Sequence, residues 1–367
     1  MPKQRVHAHN LVLDKPLPWD VYDDAGALLL CKGYRLTRES QREVLAARGL
    51  YVDGLPVSTA RSSVTPAYNP FRLWDTIIDE LEVLLRNIRQ EADFPRQMAS
   101  LARLIQELAR RSADTALAAI VLTDQRRYPV IHSVHVAILC EMVASRLDWL
   151  PDRRVSLICA ALTQNLAMLE LQLKLCAQRV APSPPQRQEI QRHPALAEEM
   201  LREAGVKDPL WLRAVVEHHE HEGGGGYPYG ITSPSEEALL IQTADVFTAK
   251  LSPRGARKPI TAQEAARTLY LDSTNAGHGF SAVLIKETGI FPPGSFVLLA
   301  NKELALVTHR GSQANTPRAL ALVSPQGMSY AQPLQRDTAR REYAVASVVS
   351  RELIKVRIDP ERIWQTY

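Results

Sequence analysis

The chain has 367 residues, 46% of them hydrophobic and 23% charged. That composition supports a packed core and excludes a disordered or fibrous chain. Lysine and arginine number 44 against 40 aspartates and glutamates, with the two signs interspersed, so no basic stripe marks a nucleic-acid surface. The length suits two or three domains. The four cysteines, Cys31, Cys140, Cys159 and Cys176, form no C-x-x-C pair and three lie in apolar helical segments; buried free thiols in a reducing compartment are expected. The N-terminus MPKQRVHAHN lacks the apolar run of a secretory leader, and no apolar run is read as approaching the length of a membrane span. The expected location is the cytoplasm, without a membrane span or a nucleic-acid partner.

In chain order, residues 1–58 read as a small α+β unit. WDVYDDAGALLLCKGYRL suggests two strands around an Asp-Asp-Ala-Gly turn, and Thr37 opens a helix that Gly49 closes. Residues 59–70, TARSSVTPAYNP, are polar with two prolines and suit a linker. From 71 to 288 the periodicity is helical: LWDTIIDELEVLLRNI, then VIHSVHVAILCEMVASRL with a stripe of Ile131, Val134, Ile138 and Met142, then RRVSLICAALTQNLAMLELQLKL. His193-Pro194 reads as a cap with a first-turn proline and Gly205 as a stop; Asp208-Pro209 opens the next helix. Ser233 with Glu236, and Thr261 with Glu264, have the spacing of capping boxes. Residues 289–367 change texture: GSFVLLANKELALVTHRG and PRALALVSPQGM read as short strands. The fold class expected is mainly α, a helical bundle flanked by a small α+β N-terminal unit and a small β-rich C-terminal segment.

Five side chains of the helical region can ligate a metal: His132, His193, His218, His219 and Asp245. Imidazole nitrogen and carboxylate oxygen suit Zn, Fe, Mn and Ni. His218 and His219 also fall near a predicted helix C-terminus, where the helix dipole favours a cation. Each has an ordinary structural reading when taken singly, as a capped or satisfied polar residue or a solvated carboxylate.

Taken together, these segments resemble a family. HHEHEGGGGYP, residues 218–228, is similar to the HHExxDGxGYP signature of HD-GYP domains. HSVHVA at 132 resembles the family's first ligand helix, HPALAEEMLREAGV its His-Pro helix, and TADVFTAKLSPRGARKPITAQEA its Asp-bearing helix with the Arg-rich segment after it. The resemblance spans roughly 115 to 288. It implies a cytoplasmic bacterial phosphodiesterase fold, cyclic di-GMP as substrate and two or three clustered metal ions.

The chain departs from that pattern at the centre. Gln164-Asn165 stands where the family's name-giving His-Asp pair belongs, Ala167 and Met168 replace the Gly and the phosphate-contacting Lys of HDIGK, and Gly223 replaces the Asp of DGxGYP. Hydrolysis at paired metals needs two cations about 3.5–4 Å apart sharing a hydroxide. Asn165 carries no charge to offset their repulsion, Gln164 is a poor substitute for imidazole, and Met168 cannot neutralise a phosphate. No catalytic residue is therefore assigned: that function is lost at Gln164, Asn165, Met168 and Gly223.

By resemblance, His132 and Asp245 belong to the metal that has lost most ligands, and His193, His218 and His219 surround the other. The expectation is at most one divalent metal (Zn, Fe or Mn), with an empty site the default. Gly224, Gly226, Tyr227 and Pro228 form the expected partner or nucleotide loop; in the family this loop is associated with diguanylate cyclase (GGDEF) domains. His135, one turn after His132, is read as structural. The leading functional reading is a non-catalytic signalling protein that binds a partner or cyclic di-GMP, akin to the helical HDOD signalling modules that lack the metal site. An active phosphodiesterase with an altered centre and a metal-binding regulator are the alternatives.

Overall fold

The structure is a computed structural model. It describes residues 68–122, 127–252, 260–273, 279–356 and 358–366, with short stretches before residue 54: 3–5, 15, 17, 20–22, 28–34, 36 and 51–53. The helix expected at 37–49, the turn at 23–26, most of the 59–70 linker and the Arg-rich 253–259 lie outside the described residues. The chain divides into two compact units, Met1–Tyr68 and Asn69–Tyr367.

In the first unit, β1 (Lys3–Arg5), β2 (Val21–Tyr22), β3 (Leu28–Leu30) and β4 (Tyr51–Asp53) pair antiparallel in the order β1-β4-β2-β3. The two strands expected around the Asp-Asp-Ala-Gly turn are β2 and β3, with Val21 opposite Leu30.

The second unit is mainly helical. Its helices are α1 (Pro70–Arg86), α2 (Phe94–Leu122), α3 (Tyr128–Arg146), α4 (Pro151–Thr163), α5 (Leu169–Ala177), α6 (Pro184–Glu203), α7 (Pro209–Glu217), α8 (Glu236–Leu251), α9 (Ala262–Ser273), α10 (Phe280–Thr288) and α11 (Pro360–Thr366). Local chemistry sets several boundaries. The Asn69 side chain accepts from the Phe71 and Arg72 N–H groups and starts α1, and Asp208 does the same for Leu210 and Trp211 at α7. Thr261 and Glu264 form the expected reciprocal pair, Glu264 Oε2 accepting from the Thr261 N–H at 2.9 Å and Thr261 Oγ1 from the Glu264 N–H at 3.1 Å.

Two expected caps are corrected. Ser235, not Ser233, caps α8, accepting from the Ala238 N–H. His193-Pro194 lies inside α6, whose start is a capping box of Ser183 and Gln186.

α3 is the central helix. Every residue from Tyr128 to Ala144 is buried, so the expected stripe of Ile131, Val134, Ile138 and Met142 widens to the whole circumference, as for a helix packed on all sides. The same burial corrects the expectation about membrane spans. Tyr128–Arg146 and Pro151–Ala177 are long and apolar enough to cross a bilayer, yet 94% and 72% of those windows are buried within the protein. Their hydropathy serves the core.

Among the described residues the C-terminal segment forms a five-stranded antiparallel sheet, order β8-β7-β6-β5-β9, from β5 (Phe296–Leu299), β6 (Leu304–His309), β7 (Arg318–Val323), β8 (Ser329–Asp337) and β9 (Val345–Val349). Ile363 of α11 packs with Phe296, Leu306, Leu320 and Leu322. The sheet meets the helices closely. A side chain at Gly294 (φ +91°) would lie 2.9 Å from Val121 Cβ and 3.0 Å from the Ala118 carbonyl of α2, so glycine is needed there for both the backbone and the contact. Arg310, just after β6, donates to Asp114 of α2 at 2.6 Å. Cys140 and Cys159 are buried as expected, Cys176 is half-buried, and Cys31 is exposed, contrary to that expectation; none forms a disulfide.

Candidate functional site

Pro194 explains why a histidine precedes it. A helical residue at 194 would bond the Ile190 carbonyl, but proline has no N–H. His193 fills the gap: its Nδ1 lies 2.6 Å from the Ile190 oxygen. A carbonyl only accepts, so Nδ1 carries the proton and Nε2 keeps its lone pair. His218, the C-cap of α7, repeats the device with Nδ1 2.6 Å from the Val215 oxygen, one of the terminal carbonyls a helix leaves unpaired. The Nε2 atoms of His193 and His218 then face each other at 3.3 Å. Two lone pairs repel at that distance unless a cation or proton lies between them.

His219 completes a triad. One ligand atom from each of His193, His218 and His219 lies within 4.8 Å of the others, and the His219 ring stacks on Tyr227 at 4.6 Å. Burial pushes the His193 pKa down to about 3, with His219 adding to the effect, and the Ile190 carbonyl and Asp245 opposing it. Burial also holds His218 well below the ordinary histidine value, with His219 and His193 contributing. His219 is lowered by burial against the pull of Asp245. All three rings are neutral at pH 7, the form in which imidazole ligates a metal. Three convergent neutral imidazoles with a position left open fit one zinc-like ion.

His132 and Asp245 form the other half of the site. His132 Nε2 bonds Asp245 Oδ1 at 2.6 Å, while Tyr128 Oη and Thr248 Oγ1 lie 3.2 and 3.4 Å from Nδ1. Asp245 is close enough to shift His193, His218 and His219, so the five expected ligands share one region. They do not form one ligand cluster: Asp245 is engaged by His132, outside the triad.

Gln164 ends α4, fully buried, and neither its Oε1 nor its Nε2 has a hydrogen-bond partner among the described residues. Asn165 and Met168, at the 3₁₀ turn Leu166–Met168, are buried too. The α4 end is pinned by Trp211, whose Nε1 donates to Thr163 Oγ1 at 2.8 Å. Beside His193 a cleft of about 400 Å³ opens between α6, Ala167 and Pro228.

The loop after His219 is held by two residues that ligand patterns do not single out. Glu220 is buried, and its Oε1 accepts from the Tyr229 and Gly230 N–H groups at 2.7 and 3.0 Å. Gln242 of α8 donates to the Glu220 carbonyl at 3.0 Å. The sequence signal for this scaffold is the Glu of HHE itself, which is no ligand. Gly226 lies against this segment, where a Cβ would be 2.5 Å from both Glu220 Cα and the His219 oxygen. Gly223 differs: its φ is +80°, but nothing lies within 4 Å of the point a Cβ would occupy. His135 is buried against Trp74, ring centroids 5.5 Å apart.

Residues 94–276 match the HD domain family model. The chain carries an HD domain. Over 220 residues, 58% of its length, it is 27% identical to the cyclic di-GMP phosphodiesterase PA4108 of Pseudomonas aeruginosa. Over 148 residues, 40% of its length, it is 24% identical to the cyclic di-GMP phosphodiesterase PdeB of Borreliella burgdorferi. The chain covers 52% of the first relative and 39% of the second. In structure it resembles Bd1817, an HD-GYP-type protein from Bdellovibrio bacteriovorus, with a TM-score of 0.52 and 17% identity over 77% of this chain and 98% of that one. The HD domain thus comprises α2 to α9, and the histidine triad, Gln164 and Asp245 all lie within it.

Proposed function

We propose that this HD domain is a non-hydrolysing signalling module of cyclic di-GMP regulation. It holds at most one divalent metal on His193, His218 and His219, and acts through the nucleotide or through a partner docked on the Gly224–Pro228 loop. A GGDEF domain is the partner this reading names, and the cytoplasm the location. The observation that supports it is Gln164: a buried amide with both polar atoms unpartnered stands where the HD-GYP resemblance expects the histidine of the His-Asp pair, and Asn165 after it supplies no bridging charge. The experiment is to incubate the purified chain with cyclic di-GMP and Mn, Fe or Mg, and to measure nucleotide binding in parallel. Binding or GGDEF association without turnover supports the proposal. Turnover near 1 per second, ordinary for an enzyme, that disappears in His218→Ala overturns it.

The second reading is a phosphodiesterase with an altered centre. It is favoured by the activity named for both curated relatives and by the three neutral imidazoles, which can hold one ion while Asp245 holds His132 in place. The same assay separates the two readings.

A further inference from the structure

The described residues hold a second polar cleft, of about 840 Å³, between α2, the C-terminal half of α3, the start of α4 and Arg310. That size suits a small molecule. Five arginines line it, Arg103, Arg110, Arg146, Arg154 and Arg310, against three glutamates, Glu107, Glu141 and Glu287. Each glutamate already has an arginine. Glu107 pairs with Arg111 at 2.8 Å, Glu141 with Arg154, and Glu287 with both Arg146 and Arg310 at 3.4 Å; Arg310 also takes Asp114. Arg103 and Arg110 are exposed and have no carboxylate partner among the described residues. Seven residues apart on α2, they share a helix face about 10.5 Å apart along the axis.

At the floor of the cleft the Arg154 guanidinium pairs with Glu141, while part of the Arg154 side chain stays exposed on the lining. Guanidinium forks match phosphate oxygens in pairs. The Ser145 hydroxyl, also on the lining, offers a neutral hydrogen bond to the rest of a ligand. Glu141 is nine residues from His132 on α3, about 13.5 Å along the axis, so this cleft is separate from the histidine site.

We propose that this cleft is a second ligand site for a small molecule bearing two phosphate groups, gripped by Arg103 and Arg110 with Arg154 at its floor. The phosphates come either from an inorganic diphosphate or from a nucleotide. Isothermal titration of the full chain with pyrophosphate and, separately, with guanosine diphosphate tests it. Expected is saturable binding of at least one probe, weakened about tenfold or more in the Arg103→Gln/Arg110→Gln variant, and unchanged in His219→Ala and in the remote Arg341→Gln. Both substituted arginines are exposed, so the variant retains its fold, which circular dichroism checks. Tighter guanosine diphosphate assigns a nucleotide; tighter pyrophosphate assigns the inorganic anion. Absence of saturation up to about 10 mM, tenfold weaker than a millimolar site, overturns the proposal. So does equal binding by the double variant, or loss of binding in His219→Ala, which would place the ligand on the triad.

Discussion

His193 and His218 point Nε2 at Nε2 across 3.3 Å, while the other nitrogen of each ring lies 2.6 Å from a carbonyl of its own helix. The tautomers are set by the backbone, one by the carbonyl that Pro194 leaves unpaired and one by a helix end. A metal ligand needs its second nitrogen occupied in this way, since that bond fixes both ring orientation and lone pair. The arrangement is preorganised for a cation.

At most one metal per chain is expected on the triad. Zinc at about 100 times its dissociation constant should add about 2.7 kcal/mol of stability, raising the melting temperature by about 4 °C for a unit of this size. His218→Ala should abolish the rise and the bound zinc measured by elemental analysis. A rise that survives in His218→Ala would locate the metal elsewhere.

Acid should destabilise the protein through its buried imidazoles, and His135 isolates the effect. Burial, reinforced by His132, lowers its pKa to about 3, against an ordinary value near 6.5. Between those values the unfolded chain binds the proton and the folded chain does not, so stability is full above about 6.5 and falls as pH drops toward 3. His135→Phe should make the stability slope between pH 6 and 4 shallower by about 1.4 kcal/mol per unit. Chemical denaturation at several pH values reads the slope, and identical slopes in the two proteins contradict the assignment.

Much of the fold is readable in the sequence because helix signals are local. Asp208, Thr261 and Gly205 act where the sequence places them. His193-Pro194 misleads, since a proline near a histidine reads as a helix start, and only the tertiary structure reveals a proline tolerated inside α6 because a side chain takes the orphaned carbonyl. The β8 and β9 strands escape notice because most of their residues are exposed or half-buried, leaving no period-two apolar alternation. At the site, the three histidines that converge, His193, His218 and His219, are legible from motif spacing, whereas the scaffold of Glu220 and Gln242 shows in the sequence only as the Glu of HHE, because its partners are backbone groups.

Glu220 is expected to control the Gly224–Pro228 loop. Glu220→Ala removes the acceptor for the Tyr229 and Gly230 N–H groups, a loss of about 1–3 kcal/mol of local order. Glu220→Gln keeps an acceptor oxygen and should be milder. Hydrogen exchange across 223–230 should speed up strongly in the first variant and weakly in the second. Equal, wild-type exchange in both would show that the loop is held by other contacts.

Building the His-Asp pair of the HD-GYP pattern into this chain is the most demanding test, because it asks one pair of residues to do two things. Gln164 is buried with both amide atoms unpartnered, so in the metal-free protein Gln164→Leu should be neutral or stabilising, removing a desolvated amide that costs about 1–3 kcal/mol. Gln164→His with Asn165→Asp instead supplies the imidazole and carboxylate that the HD-GYP resemblance expects at these two positions. The added negative charge offsets the repulsion between two dications, so bound metal should rise from at most one to two per chain. Gly223→Asp is a third restoring change. Nothing lies within 4 Å of the new Cβ, and aspartate tolerates a positive φ better than most residues, so the loop should accept it at a cost of about 1 kcal/mol. If the double variant still holds at most one metal while remaining folded, the geometry as well as the charge of the second position has been lost. If the natural protein itself holds two, Asn165 is no obstacle and the phosphodiesterase reading takes first place.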